Sequence, residues 1–180
     1  MKAIAGVAAL ACALVFGGSA TAMSQSVGPD GGKIRVYVDA STNGPVSKIL
    51  ITGAIGDYGT ATSMDKNGKV DSNGNFVKVV LKKGTFEVDS TALNAKLNKG
   101  PGVFTKSTCS FSFTGSGRVT LSNGTGLYHG ISGSVNVTAT FGAISPRLSS
   151  GAHKGQCNQN QNAKSLSQWG AIIGTGTVKF

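Results

Sequence analysis

Apolar and polar side chains alternate along most of this chain with a period of two, the pattern of a β-strand with one buried face. Ile34, Val36 and Val38 point one way, and Lys33, Arg35, Tyr37 and Asp39 the other. Ser41 to Pro45 (STNGP) reads as a turn, and Lys48 to Ile55 (KILITGAI) as a more fully apolar strand, buried on both faces or bent at Gly53. Residues 57–75 hold several turn signals, including Asn67-Gly68 and Asn73-Gly74, which are hairpin cues. Val77, Val79 and Leu81 line the face of a strand. Lys82-Lys83-Gly84 turns the chain, and Phe86 and Val88 oppose Glu87 and Asp89 on the next strand. Ser90 can cap a short helix carrying Leu93 and Leu97 one turn apart, ended by Gly100-Pro101-Gly102.

The C-terminal half carries the strongest pattern. Cys109, Phe111 and Phe113 share one face, and Val119 and Leu121 share another. Ile131, Gly133, Val135, Val137, Ala139, Phe141 and Ala143 form an unbroken apolar row, while Ser132, Ser134, Asn136, Thr138 and Thr140 take the other side. A one-residue slip would put that whole row into water, so the pairing is well specified. Residues 149–167 form a polar loop. In the last segment, Gln168 to Phe180, Ile172, Val178 and Phe180 share a face with three glycines. Many short strands and no long helix predict an all-β barrel, with a β-sandwich as the alternative. The 27 glycines favour the curved sheet of a barrel.

The first 22 residues stand apart. Met1 and Lys2 precede an apolar run from Ala3 to Gly18, and Ala20-Thr21-Ala22 supplies a small-residue cleavage site. This is the pattern of a signal peptide, and the run is shorter than the roughly 20 residues of a spanning helix. Cys12 lies in the run with Ala9, rather than Leu, three residues before it, which argues against a lipoprotein. Cleavage leaves a flexible lead-in at 23–32 and one domain at 33–180. Removal of Lys2 lowers the formal charge from +10 to +9. The cations are scattered singly apart from Lys82-Lys83, with no interleaved aromatics to suggest nucleic acid. They allow attraction to anionic envelope lipid. After cleavage two cysteines remain, Cys109 and Cys157, and an even number in an exported chain predicts a bridge.

The candidate chemistry is sparse. Cys109, Cys157, His129 and His153 match no zinc spacing. Gly130-Ile131-Ser132-Gly133-Ser134 is one residue off a nucleophile elbow and lacks the strand–helix context. His129 or His153 with Asp57 could form a base and its orienter, but both histidines read as solvated loop residues. Glu87 and Asp89 are two carboxylates on one strand face, as glycoside hydrolysis would need, and read as a solvated edge. Asp65-x-Asn67 and Asp71-x-Asn73-x-Asn75 suggest calcium. A loop starting at Asp71 puts Phe76 and Lys82 where glycine and glutamate are required, so Asx turns explain these residues better. The residues therefore assign no catalytic group, metal or cofactor.

Gly117 to Gly133 (GRVTLSNGTGLYHGISG) is the most distinctive stretch. Gly124-Thr125-Gly126 is followed by a strand rather than a helix, so it is a tight connection and not a phosphate loop. The motif Gly124, Thr125, Gly126, Tyr128, Gly130, Gly133 resembles the central hairpin of dirigent proteins and allene oxide cyclases. That resemblance covers about a quarter of the chain. It implies an eight-stranded antiparallel barrel with an apolar cavity, and transfers no active site, because none of those families' catalytic acids or arginines is identifiable here. The whole chain also resembles small exported actinobacterial proteins, through NGTGLYHGISG, the FGAISPRL run ending at Leu148, the Cys157 loop and the GTGTVKF tail. That second resemblance carries no function with it. The resulting expectation is an exported, non-enzymatic barrel that binds an apolar or amphipathic small molecule or an envelope component. A dirigent- or cyclase-type enzyme and a structural protein with a filled core are the alternatives.

Overall fold

The computed structural model describes residues 32–42, 44–160 and 163–179, of which Gly32 and Thr177 are described by backbone alone. The signal-peptide reading at 1–22, the lead-in up to residue 31, Asn43 and Phe180 lie outside the described residues. Among the described residues nine strands and one helix follow in chain order: β1 (Gly32–Asp39), β2 (Val46–Gly53), β3 (Asp57–Met64), β4 (Phe76–Leu81), β5 (Gly84–Asp89), α1 (Thr91–Leu97), β6 (Gly102–Thr105), β7 (Ser110–Gly126), β8 (Ser132–Ile144) and β9 (Ser167–Lys179). All neighbours pair antiparallel. The order β5-β4-β3-β2-β1-β9-β8-β7 closes through a β5–β7 pairing, which makes an eight-stranded barrel rather than a sandwich. Closure removes the free edges that an open sheet would expose. β6 lies outside the ring, paired with the first residues of β7.

The alternation read from the chain decides what fills the barrel. Ile34, Val36 and Val38 of β1, Val77 and Val79 of β4, Phe86 and Val88 of β5, and Val135 and Val137 of β8 all face inward. Ile131 before β8 and Val135, Val137, Ala139 and Ala143 within it are buried, Gly133 and Phe141 of the same row are half-buried, and Ser132, Asn136 and Thr138 are exposed. β2 departs from the expectation of two buried faces. Ile49 and Ile51 are buried, but Leu50 between them is 47% exposed, because the barrel gives every strand only one inner side. The bend at Gly53 is present, with φ of +89°.

Three further expectations need correction. The turn signals of 57–75 hold only beyond Met64, because residues 57–64 are a strand not foreseen from the sequence: β3 pairs with both β2 and β4. The 17-residue β7 runs unbroken through Phe113, Val119 and Leu121, so these side chains lie on one face rather than two. Ser90 does stand at the helix N-cap, but its hydroxyl donates to Asn75 O (2.7 Å), while Asp89 accepts the Thr91 N–H (2.9 Å) and hydroxyl (2.6 Å).

Helix α1 fills a gap in the wall. β5 pairs with β7 only from Thr120 onward and β6 only up to Phe113, so the stretch between them has no strand neighbour on that side. The helix packs there with Leu93 and Leu97 buried. Gly117 makes the approach possible: a Cβ at that position would lie 2.6 Å from Leu93 Cα.

Beyond the barrel, Cys109 and Cys157 are joined by a disulfide, with Cα atoms 5.3 Å apart. Arg147 reinforces the same junction, donating from Nη1 to Gly155 O (2.7 Å) and from Nη2 to Ser107 O (2.6 Å). The polar loop containing Cys157 is thereby tied to the turn before β7.

Candidate functional site

The inward side chains do not fill the barrel. They leave an apolar cavity of about 150 Å³, walled by β1, β2, β3, β4, β5, β7, β8 and β9 and bounded at one side by Leu93 of α1. Val36, Val79, Phe86, Val135, Val137 and Ile172 are representative of its lining. The space arises where a small residue stands in an inward position. On β3 that residue is Ala61, which faces Val79 across the ladder and also lines the cavity. Ser90 contributes the one polar side chain of the lining, and its hydroxyl is already bonded to Asn75 O. No titratable group lines the space. An apolar cavity of this volume suits a molecule about the size of benzene, or xenon, better than water, because water would find few hydrogen-bond partners there.

A buried polar cluster sits apart from the cavity, where the start of β3, the β4–β5 turn and the β7–β8 turn converge. Tyr128 is 2% exposed and Asp57 5% exposed. The Tyr128 hydroxyl donates to Asp57 Oδ2 (2.8 Å), which also accepts the Lys83 N–H (3.0 Å), and the Tyr58 N–H donates to Asp57 Oδ1 (2.8 Å). Burial pushes the Asp57 carboxyl up. The three hydrogen bonds outweigh it and hold the group below the usual aspartate value. Burial, then the bond to Asp57 and its charge, raise the Tyr128 phenol well above its ordinary range. Both groups therefore keep one protonation state through neutral pH, which makes them a fixed donor and acceptor rather than an acid–base pair.

The glycines of the motif shape the turn that delivers Tyr128. The chain doubles back so tightly that a Cβ on Gly124 would run into Tyr128 O, and Gly126, Gly130 and Gly133 take φ of +61°, +83° and +125°. The Leu127 N–H donates to Lys83 O (2.8 Å), joining this turn to the β4–β5 turn. The Tyr128 ring then packs edge-on against Phe86, centroids 5.3 Å apart. The tyrosine of the motif thus locks the closing seam between β5 and β7.

The other candidates are not brought together as chemistry would require. Asp57 is bonded to Tyr128, and His129 and His153 are both exposed. Glu87 accepts from Asn123 Nδ2 (2.6 Å) and Asp89 from Thr91, so each carboxylate has its own local partner. Asp65 and Asp71 accept the N–H groups of Asn67 (2.8 Å) and Asn73 (2.9 Å), forming two Asx turns. Among the described residues no group of three or more His, Cys, Asp or Glu side chains is placed to hold a metal ion. The Asp57–Tyr128 pair was missed in the sequence because its members lie 71 residues apart; the lone tyrosine inside a glycine-rich motif was the available signal. In comparison with known proteins, no family model, curated protein or solved structure matches the chain.

Proposed function

We propose that this protein is an exported, non-enzymatic barrel that takes a small apolar molecule into its interior. The observation that carries the reading is the cavity of about 150 Å³ walled by aliphatic and aromatic side chains. An apolar molecule gains by leaving water for such a space, whereas a polar one would lose its hydrogen bonds. Catalysis of the dirigent or cyclase kind calls for a charged or hydrogen-bonding group at the reacting centre. Among the described residues the one buried carboxylate, Asp57, is not part of the cavity wall and is held ionised by its own donors. The motif resemblance favours the same barrel and pocket. The disulfide and the N-terminal pattern support export.

Size sets the ligand class and the affinity. A molecule of six to ten heavy atoms, at about 0.5–0.8 kcal/mol per atom, gains about 3–8 kcal/mol, a Kd between roughly 1 μM and 6 mM. A larger amphipathic ligand would have only its apolar end inside. Native mass spectrometry of the protein purified from its own host tests the proposal. A gain in mass on exposure to benzene-sized hydrocarbons, or a co-purifying small apolar molecule where the affinity lies at the tight end of that range, is the expected result. Protein that arrives empty and gains no mass on exposure to benzene-sized hydrocarbons would overturn it.

A further inference from the structure

We propose that the outer face of β9, β1, β2 and β3 is a docking surface for an anionic lipid bilayer. The outward positions of a barrel wall are normally polar, and along β7 and β8 they mostly are, Ile144 at the end of β8 being the exception. Thr114 bonds Thr140 (2.9 Å), Ser116 bonds Thr138 (2.8 Å) and Arg118 donates to Ser134 (2.9 Å). The opposite wall breaks that rule. Tyr58, Leu50 and Tyr37 stand in one cross-strand row, Leu50 paired with both of the others. Trp169 joins them in a shared groove from the next strand, paired with Asp39. These four side chains are 47–56% exposed, and Ile173 of β9 is equally open. The row spans about 14 Å across four strands.

Cations rim the patch. Lys82 Nζ lies 5.7 Å from the centre of the Tyr58 ring, Lys48 lines the groove itself, and Arg35 pairs in register with Ile173. Asp39, engaged by Ser41, is the acid within the groove. The chain as a whole is +10. Tyrosine and tryptophan settle at the headgroup level of a bilayer, and lysine stems lie along apolar surface with the charge kept in water. The aliphatic Leu50 and Ile173 match acyl chains and offer a sugar polymer nothing to stack on. A second copy of the chain would set two cationic rims against each other. A barrel that spans a membrane carries its apolar side chains outward all round. Here they face inward, so the protein would rest on the bilayer and not cross it. This inference stands on surface residues alone and does not depend on the cavity ligand.

The chain's single tryptophan, Trp169, is the reporter. The full protein is titrated with vesicles of equal parts phosphatidylglycerol and phosphatidylcholine, with pure phosphatidylcholine vesicles, and with soluble dextran sulfate. The expected result is a blue shift of Trp169 emission and quenching by acyl-brominated lipid with the anionic vesicles, at least tenfold tighter than with the zwitterionic ones and weakened by salt. Lys48→Ala and Lys82→Ala should each weaken binding about fivefold. Leu50→Ser, checked by circular dichroism for an unchanged fold, should weaken it without altering the salt dependence. Three results would overturn the proposal: no shift with anionic vesicles, a shift with dextran sulfate alone, or concentration-dependent self-association that protects Trp169 in the absence of lipid.

Discussion

Replacing Tyr128 with phenylalanine isolates the hydrogen bond that holds the barrel's closing seam. The ring keeps its place against Phe86, so packing changes little, but Asp57 loses one of three donors while remaining 5% exposed. A hydrogen bond to a charged acceptor contributes about 1.5–3 kcal/mol, and a buried carboxylate cannot recover it from solvent. For a chain of this size each kcal/mol corresponds to about 2–4 °C, so the melting temperature should fall by roughly 3–12 °C at pH 7. The pH dependence provides a second check. The Asp57 pKa is lowered on folding, so its contribution is fully present above the unfolded value of about 3.9 and is lost as pH falls through the folded value. Tyr128→Phe raises the folded pKa, because burial is then opposed by two donors instead of three. The variant's folded state therefore takes up a proton first, and the stability gap should narrow as pH falls through the carboxylate range. Urea denaturation of both proteins between pH 3 and 8 measures this. An equal stability at pH 7, or a gap that widens toward acid, would refute the role given to the pair.

Two other substitutions probe the parts that frame the cavity and the loop. Gly117→Val places side-chain atoms where Leu93 Cα already sits, so α1 should be displaced at a cost of about 1–3 kcal/mol, visible as lost amide protection in residues 91–97. Cys157→Ser opens the 48-residue span between the bridged cysteines. The chain-entropy treatment gives about 4 kcal/mol for such a loop, and we expect about half of that in urea denaturation, with no effect of reductant on the variant.

The fold was legible where large apolar residues fell on alternate positions. The β8 row placed itself by its period alone, and so did the inward valines of β1 and β4. β3 was hidden because its inward side offers Gly59 and Ala61, too small to register as an apolar face, and because Asp57 opens it. β6 was hidden for the opposite reason: all four of its residues are exposed, so no burial pattern marks it. The double-sided reading of β2 followed from Leu50, which is apolar yet exposed; the outer patch explains that departure from the rule. The cavity has no local signature. It is a deficit of volume summed over strands that meet only in three dimensions, and the Asp57–Tyr128 bond is likewise a product of closure.

The measurement that bears most directly on the interior site is methyl-resolved NMR of the barrel under benzene or xenon. Chemical-shift changes should appear at Val36, Val79, Val135, Val137 and Ile172, which line the cavity, and not at Val46, Val70 and Val103, which are exposed. Ala61→Leu should abolish them while leaving the fold intact, because it fills the space from β3. Changes confined to the exposed methyls, or none at saturating hydrocarbon, would mean that the barrel does not accept an apolar guest.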